Sequence, residues 1–371
     1  MSWLLAVLLL FAQATDYAAE GLKALGEKNY AAAAEQFAKA VAADPKDYVV
    51  RFHLALVNGL LGKDSEAIAG YRSVLELKPD LYEAQVNLGM VLLRQKQPRE
   101  AVPHLEAAAA AKPKVFQPHF LLAEALLGAG EPAKAEPYYK AAGELDPKSA
   151  DVEAGLGRSR ARQNRLAEAA ANFRRAAELD PEYKDALLEL APLYENNGDN
   201  AAALDIYAQY PANLAARERM TQLLIHTGKL AEAVPLLEQS LAADPRNAQL
   251  RMTYGRVLRD LKQYPAAAAE FYRLTQAQPD SVEPWGELAS MLILLQDYPR
   301  ALDALDRLKS LGAEVPGHYY LRAIILDRTK QRRPALENYQ RFLALSQGKS
   351  PEEEFKARQR VRILQKEINR R

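Results

Sequence analysis

The sequence predicts an all-α chain, a solenoid of about ten helix-turn-helix units closed by a C-terminal capping helix, and three observations carry that prediction. Pro45, Pro79, Pro113, Pro147 and Pro181 recur at one constant spacing, i to i+34, and Pro245 and Pro279 repeat it. A period of this length means like units stacked so that each buries its apolar face on the next. Set from Ala14, the repeats begin at positions 14, 48, 82, 116, 150, 184, 214, 248, 282 and 316, and the sixth is shorter than the others by four. The second observation is a column of alanine at position 20 of all ten repeats, from Ala33 to Ala335, followed four places later by Phe37, Tyr71, Leu105, Tyr139, Phe173, Tyr207, Leu237, Phe271, Leu305 and Tyr339. A small and a large residue at i and i+4 share one helix face, where one admits a neighbouring helix and the other fills its groove. The third is the lack of any convincing strand pattern.

At the N-terminus, Trp3 to Ala12 is almost unbroken apolar sequence ending in Ala12-Gln13-Ala14. This has the form of a secretory signal, residues 1–14, although no Lys or Arg precedes the apolar run. As a helix it would reach about 20 Å, short of the roughly 30 Å bilayer core. The expectation is a cleaved leader and a periplasmic or secreted product, with a retained anchor as the alternative. Each repeat then reads as two antiparallel helices, the second stopped in seven repeats by the proline at position 32, which repeats nine and ten lack. Position 8 is Gly or Ala in nine repeats, Thr221 being the exception. Pro103, Pro137 and Pro235, all at position 22, read as tolerated near a helix start. The residues missing from repeat six fall in its second helix, which Pro211 is expected to stop early, loosening the stack near residues 208–214. The expected organisation is therefore residues 15–213 for repeats one to six, 214–349 for seven to ten, and 350–371 for the cap. Ser350-Pro351-Glu352-Glu353-Glu354 has the residues of a helix start, and Ala357, Val361, Leu364 and Ile368 form an apolar stripe behind it.

Composition removes several classes of function. There are 49 Lys+Arg against 48 Asp+Glu, a formal charge of +1, which argues against non-specific nucleic-acid attraction. The absence of cysteine excludes disulfides, thiolate metal sites and thiol nucleophiles. His53, His104, His119, His226 and His318 form no H-x-x-x-H pair, and no nucleotide loop or nucleophile elbow is present, so neither catalysis nor a cofactor or metal is expected.

Leu-Gly at positions 7 and 8, Ala-x-x-x-Phe/Tyr at 20 to 24 and Pro at 32 resemble the tetratricopeptide repeat over about nine tenths of the chain. Position 4 departs from that pattern: Tyr17, Trp285 and Tyr319 are aromatic, whereas Arg51, Glu153 and Arg251 are not. The resemblance implies a right-handed superhelix whose first helices line a groove through positions 2, 5, 9, 12 and 13. In the early repeats those columns hold Leu22, Phe52, Leu56, Val86, Met90 and Phe120, which read either as a hydrophobic peptide groove or as inward-tilted core. Later they hold Arg158 and Arg162, with Arg165 three further on, then Arg256 and Arg259. These read either as a charged stripe paired with neighbouring acids or as a clamp for an acidic segment. The family further implies a non-enzymatic scaffold for a protein or peptide partner in an extracytoplasmic assembly or secretion pathway. It would have no nucleic acid and no stable membrane insertion once the leader is cleaved. The alternative is a recognition or regulatory subunit of an envelope enzyme complex such as a glycosyltransferase, and the oligomeric state is left open.

Overall fold

The computed structural model of the protein describes residues 16–369, so the leader expected at residues 1–14 lies outside the described residues. Every regular element among the described residues is a helix. The chain forms two compact blocks that divide between Ile206 and Tyr207.

The first block stacks α1 (16–26), α2 (Tyr30–Ala43), α3 (Tyr48–Leu60), α4 (Asp64–Leu77), α5 (Tyr82–Arg94), α6 (Pro98–Ala111), α7 (Phe116–Gly128), α8 (Pro132–Leu145), α9 (Ala150–Arg162) and α10 (Leu166–Leu179). From α3 to α9 each odd-numbered helix begins at position 1 of its repeat. Each packs on the second helix of its own repeat and on that of the repeat before, and α3, α5, α7 and α9 also touch in succession, forming one layer. The turn inside each repeat passes through a residue with positive φ at position 15, which is Gly62 or Gly130 in two repeats and Lys28, Lys96 or Asn164 in three. The following N–H returns to a carbonyl five places back, as in Gln97 to Leu92 at 2.9 Å, closing the first helix in a Schellman turn.

The alanine column lies in the core of every repeat. Ala33, Ala67, Ala101, Ala135, Ala169, Ala203, Ala233, Ala267, Ala301 and Ala335 are all fully buried, as is nearly all of each position-24 side chain. Position 8 faces position 24 of the same repeat. A Cβ added to Gly89 would stand 2.5 Å from Leu105, and one added to Gly157 2.8 Å from the Phe173 ring. These glycines are steric, present because the large side chain occupies the place a methyl would take.

Repeat six departs from the expected helix pair. Its first helix is a 3-10 helix, Pro181–Leu190, running into a short α11 (Ala191–Asn196). Pro192 stands in the first turn of α11 and has no N–H to return to Leu188, so one rung of the α-helical ladder is missing where the two segments meet. Sequence reasoning weighed Pro211 and overlooked Pro192. The second helix, α12 (Asn200–Ala208), is short and ends before Pro211, and the division between blocks falls within it.

The second block continues with α13 (Leu214–His226), α14 (Leu230–Ala243), α15 (Ala248–Asp260), α16 (Tyr264–Ala277), α17 (Val282–Leu294), α18 (Tyr298–Ser310), α19 (Pro316–Arg328), α20 (Arg332–Ser346) and α21 (Pro351–Asn369). Pro103, Pro137 and Pro235 sit inside unbroken α6, α8 and α14. The last helix, α21, packs on α20 and buries Ala357 and Leu364. The buried Glu354 carboxylate fixes its approach, accepting from Ser346 Oγ and the Gly348 N–H, both at 2.6 Å. No helix among the described residues is long and apolar enough to cross a membrane.

Candidate functional site

The surface singled out by sequence is the open side of the first helices, and its apolar residues divide by position. At position 9, Leu22 on α1 is 48% exposed and Met90 on α5 is 37% exposed, while Leu56 on α3 is half-buried. Leu60, one turn beyond Leu56, is 50% exposed. Position 5 turns inward instead. Val86 is buried, and the Phe52 and Phe120 rings lie against Tyr71 and Tyr139 of their own repeats, with centroids 5.8 and 6.2 Å apart. Tyr320 and Tyr339 repeat the arrangement at 6.1 Å. The aromatic residues at position 5 therefore roof the core, and the aliphatic ones at position 9 meet solvent.

The arginines on the same layer are engaged by acceptors of the chain itself and do not converge on an open site. Arg158 on α9 reaches Glu189 of the following repeat at 3.1 Å, whereas Arg162 donates to the Leu127 carbonyl of the preceding one. Arg165 also turns back, holding Glu136 at 2.6 Å and its own neighbour Glu168 at 2.6 Å. In α15, Arg256 binds Glu283 and Glu287, and Arg259 binds Glu287 at 2.8 Å and Asp260 at 2.9 Å. Burial works against the charge on Arg158 and on Arg256, yet the facing carboxylates more than offset it and hold both guanidinium groups above their ordinary pKa. Arg158–Glu189 and Arg256–Glu287 join position 9 of one repeat to position 6 of the next, both at the spacing i to i+31. Sequence reasoning missed Glu189, Glu283 and Glu287. The signal was available, because in both ties the acid follows its arginine by one period less about one helical turn.

A buried carboxylate, Glu136 on α8, is gripped by Lys140 at 3.1 Å, Arg160 at 3.2 Å and Arg165 at 2.6 Å. Burial raises its pKa, but the hydrogen bonds from Lys140, Arg165, Arg160 and Gln163 outweigh that and bring it down to about 2. Such a group is a structural anchor, since its oxygens are already taken.

The chain has measurable kin. The Vi polysaccharide export protein VexE of Salmonella typhi is 34% identical over 98 residues, which is 26% of this chain and 13% of that protein. Among solved structures, MamA (residues 41 to the end) from Desulfovibrio magneticus RS-1 matches with a TM-score of 0.43 and 26% identity, over 46% of this chain and 96% of that one. YrrB, a tetratricopeptide repeat protein with an unusual peptide-binding site, matches with a TM-score of 0.45 and 21% identity, over 46% of this chain and 88% of that one. The tetratricopeptide repeat model itself matches residues 18–82, 86–150 and 155–217, and a second model of the same description matches residues 224–281. With more than half of its length so matched, and with buried alanine and bulky columns recurring at the period those models describe, this chain belongs to the tetratricopeptide repeat family.

Proposed function

We propose that the protein is a non-enzymatic interaction scaffold that holds an extended peptide or a partner domain on the open side of its first helices. The observation that carries this reading is the row of exposed apolar side chains Leu22, Leu60 and Met90, with the half-buried Leu56 among them, on three successive first helices. They rest on a layer whose own core is already complete, so their burial is left for a partner. Phe52, Val86 and Phe120 stiffen that surface from below, and the preformed layer limits the ordering required on binding. Arg158, Arg162, Arg165, Arg256 and Arg259 act in this reading as ties between neighbouring repeats. The partner belongs to an extracytoplasmic assembly, with residues 1–14 as leader, 15–213 and 214–349 as the two repeat blocks and 350–371 as the cap. The name of the relative from Salmonella typhi supports an export setting. In the second reading, the scaffold serves an envelope enzyme complex as its recognition subunit.

The test is site-specific photo-crosslinking in the native host. A photoreactive residue at Met90 is expected to capture a defined partner band that one at Glu106 on α6 does not. Leu22→Glu with Leu56→Glu is expected to abolish the band while circular dichroism stays helical. Equal capture from both positions, or a band untouched by the double variant, overturns the assignment.

A further inference from the structure

In four repeats the side chain at position 4 meets the one at position 23 and closes the seam along the second helices. His104 Nδ1–H donates to Gln85 Oε1 at 2.7 Å. The His119 and Tyr138 rings stack at 6.4 Å, Asn172 donates to Glu153 at 2.5 Å, and Arg251 donates to Glu270 at 2.5 Å. Repeat two carries Gly70 at position 23, and there Ala55 lies 2.8 Å from where a Cβ would stand, so helix approach shuts the gap. In repeat nine the pair is Trp285 and Ala304, a methyl too short to reach the indole. A cavity of about 540 Å³ opens there, between α16, α17 and α18.

The cavity has a consistent chemistry. Leu288 and Leu292 form a buried apolar floor with Leu295 beside them, and Trp285 and the half-exposed Tyr272 supply aromatic walls. The indole N–H is already engaged by the Pro279 carbonyl at 2.9 Å. Two charged residues reach the lining, Arg300 and Asp303. The first is neutralised by Asp297, whose Oδ2 accepts from its Nε at 2.6 Å. Asp303 is exposed, and its carboxylate has no ion pair or hydrogen bond to any described residue. The site is thus an apolar bowl with aromatic walls and one uncompensated negative charge at its rim. An anion is repelled and a neutral apolar group leaves the carboxylate unanswered, whereas a long alkyl stem with a cationic head satisfies every element.

We propose that this cavity is a second docking site, which receives a lysine side chain and the apolar residue beside it from a partner protein. The stem lies along Leu288, Leu292 and Leu295, and the ammonium reaches Asp303 beside Tyr272. The volume suits a ligand larger than one side chain. The site uses positions 4, 7, 11 and 14 of its first helix, on the opposite side from positions 5, 9 and 12. It is independent of the surface in the previous subsection.

Intrinsic fluorescence tests it directly, because the chain's two tryptophans are Trp3 and Trp285. In a Trp3→Phe background, the full-length protein is titrated with acetyl-Leu-Lys-Leu-amide, with the same peptide carrying norleucine in place of lysine, and with its glutamate counterpart. The lysine peptide is expected to shift Trp285 emission with at least about tenfold higher affinity than the norleucine peptide, and the glutamate peptide not to bind. Asp303→Asn is expected to erase the lysine advantage and leave norleucine affinity unchanged, while Leu22→Glu changes neither. Equal affinity for lysine and norleucine, an advantage that survives Asp303→Asn, or no spectral change with any peptide overturns the proposal.

Discussion

Arg51 donates its Nε–H to the carbonyl oxygen of Pro45, six places back, at 2.7 Å. Gln85 does the same for Pro79 at 2.8 Å, His119 for Pro113 at 2.9 Å, Arg251 for Pro245 at 2.7 Å and Trp285 for Pro279 at 2.9 Å. All five donors stand at position 4 and all five acceptors are the proline that closes the preceding repeat. What these five share is a side-chain N–H of suitable reach, which indole, imidazole, amide and guanidinium each supply; Glu153 and Leu187, which also follow a closing proline, have none. The departures from an aromatic position 4 at Arg51 and Arg251 are thereby explained. Arg51→Met, which keeps the aliphatic stem and removes the donor, is expected to lower stability by about 1 kcal/mol in urea denaturation. An unchanged midpoint would mean that water replaces the bond without loss.

Glycines inside the first helices separate into two kinds that respond oppositely to one methyl group. Gly157→Ala forces a Cβ against Phe173 at 2.8 Å and is expected to destabilise by about 1–3 kcal/mol. Gly286 lies within α17 with nothing inside 4 Å of its would-be Cβ, so Gly286→Ala is expected to stabilise by about 0.5–1 kcal/mol through helix propensity. Thermal melts of the two variants side by side give the comparison, and a common sign would contradict it.

Acid should attack the first block through Glu136. Its folded pKa of about 2 lies below the ordinary value of 4.5, so the folded state binds its proton less readily than the unfolded chain does. The associated stability is complete above the unfolded value and is lost as pH falls from there towards about 2. Denaturation midpoints recorded at several pH values should decline over that window, and Glu136→Gln should flatten the decline while lowering stability at neutral pH. A variant whose pH profile parallels the native one would assign the acid sensitivity elsewhere.

The tie between Arg256 and Glu287 is measurable by a double-mutant cycle with alanine at each position. Arg256 is partly exposed and also bound to Glu283, so the coupling is expected to be modest, about 0.5–1 kcal/mol. It should shrink between low and high salt, since one partner faces solvent. A coupling indistinguishable from zero at low ionic strength would reduce the pair to a surface contact.

The elements were legible because their signals are local and recur. Ala33 and its nine counterparts, with the bulky residue four places on, located each second helix, and the prolines located its end. Pro192 was equally visible and its effect was missed, because ten repeats in alignment invite the odd one to be read like the other nine. The candidate surface was legible only as a set of positions. Sequence could not tell Phe52 from Leu56, both apolar on one helix, because the ring of Tyr71 that draws Phe52 inward comes from another helix. Likewise Asp303 and Ala304 look ordinary until the absent partner of Trp285 is seen to leave a hollow.

The bonds from Arg51 to Pro45, from Arg158 to Glu189 and from His104 to Gln85 each span a fixed stretch of sequence, so the chain measures its own length. Removing one complete repeat from within the first block brings equivalent positions back together, whereas stopping a single residue short of that sets each donor whose bond spans the cut beside the wrong neighbour. Whole modules are therefore the unit in which such a protein can lengthen or shorten, and fractions of one are not.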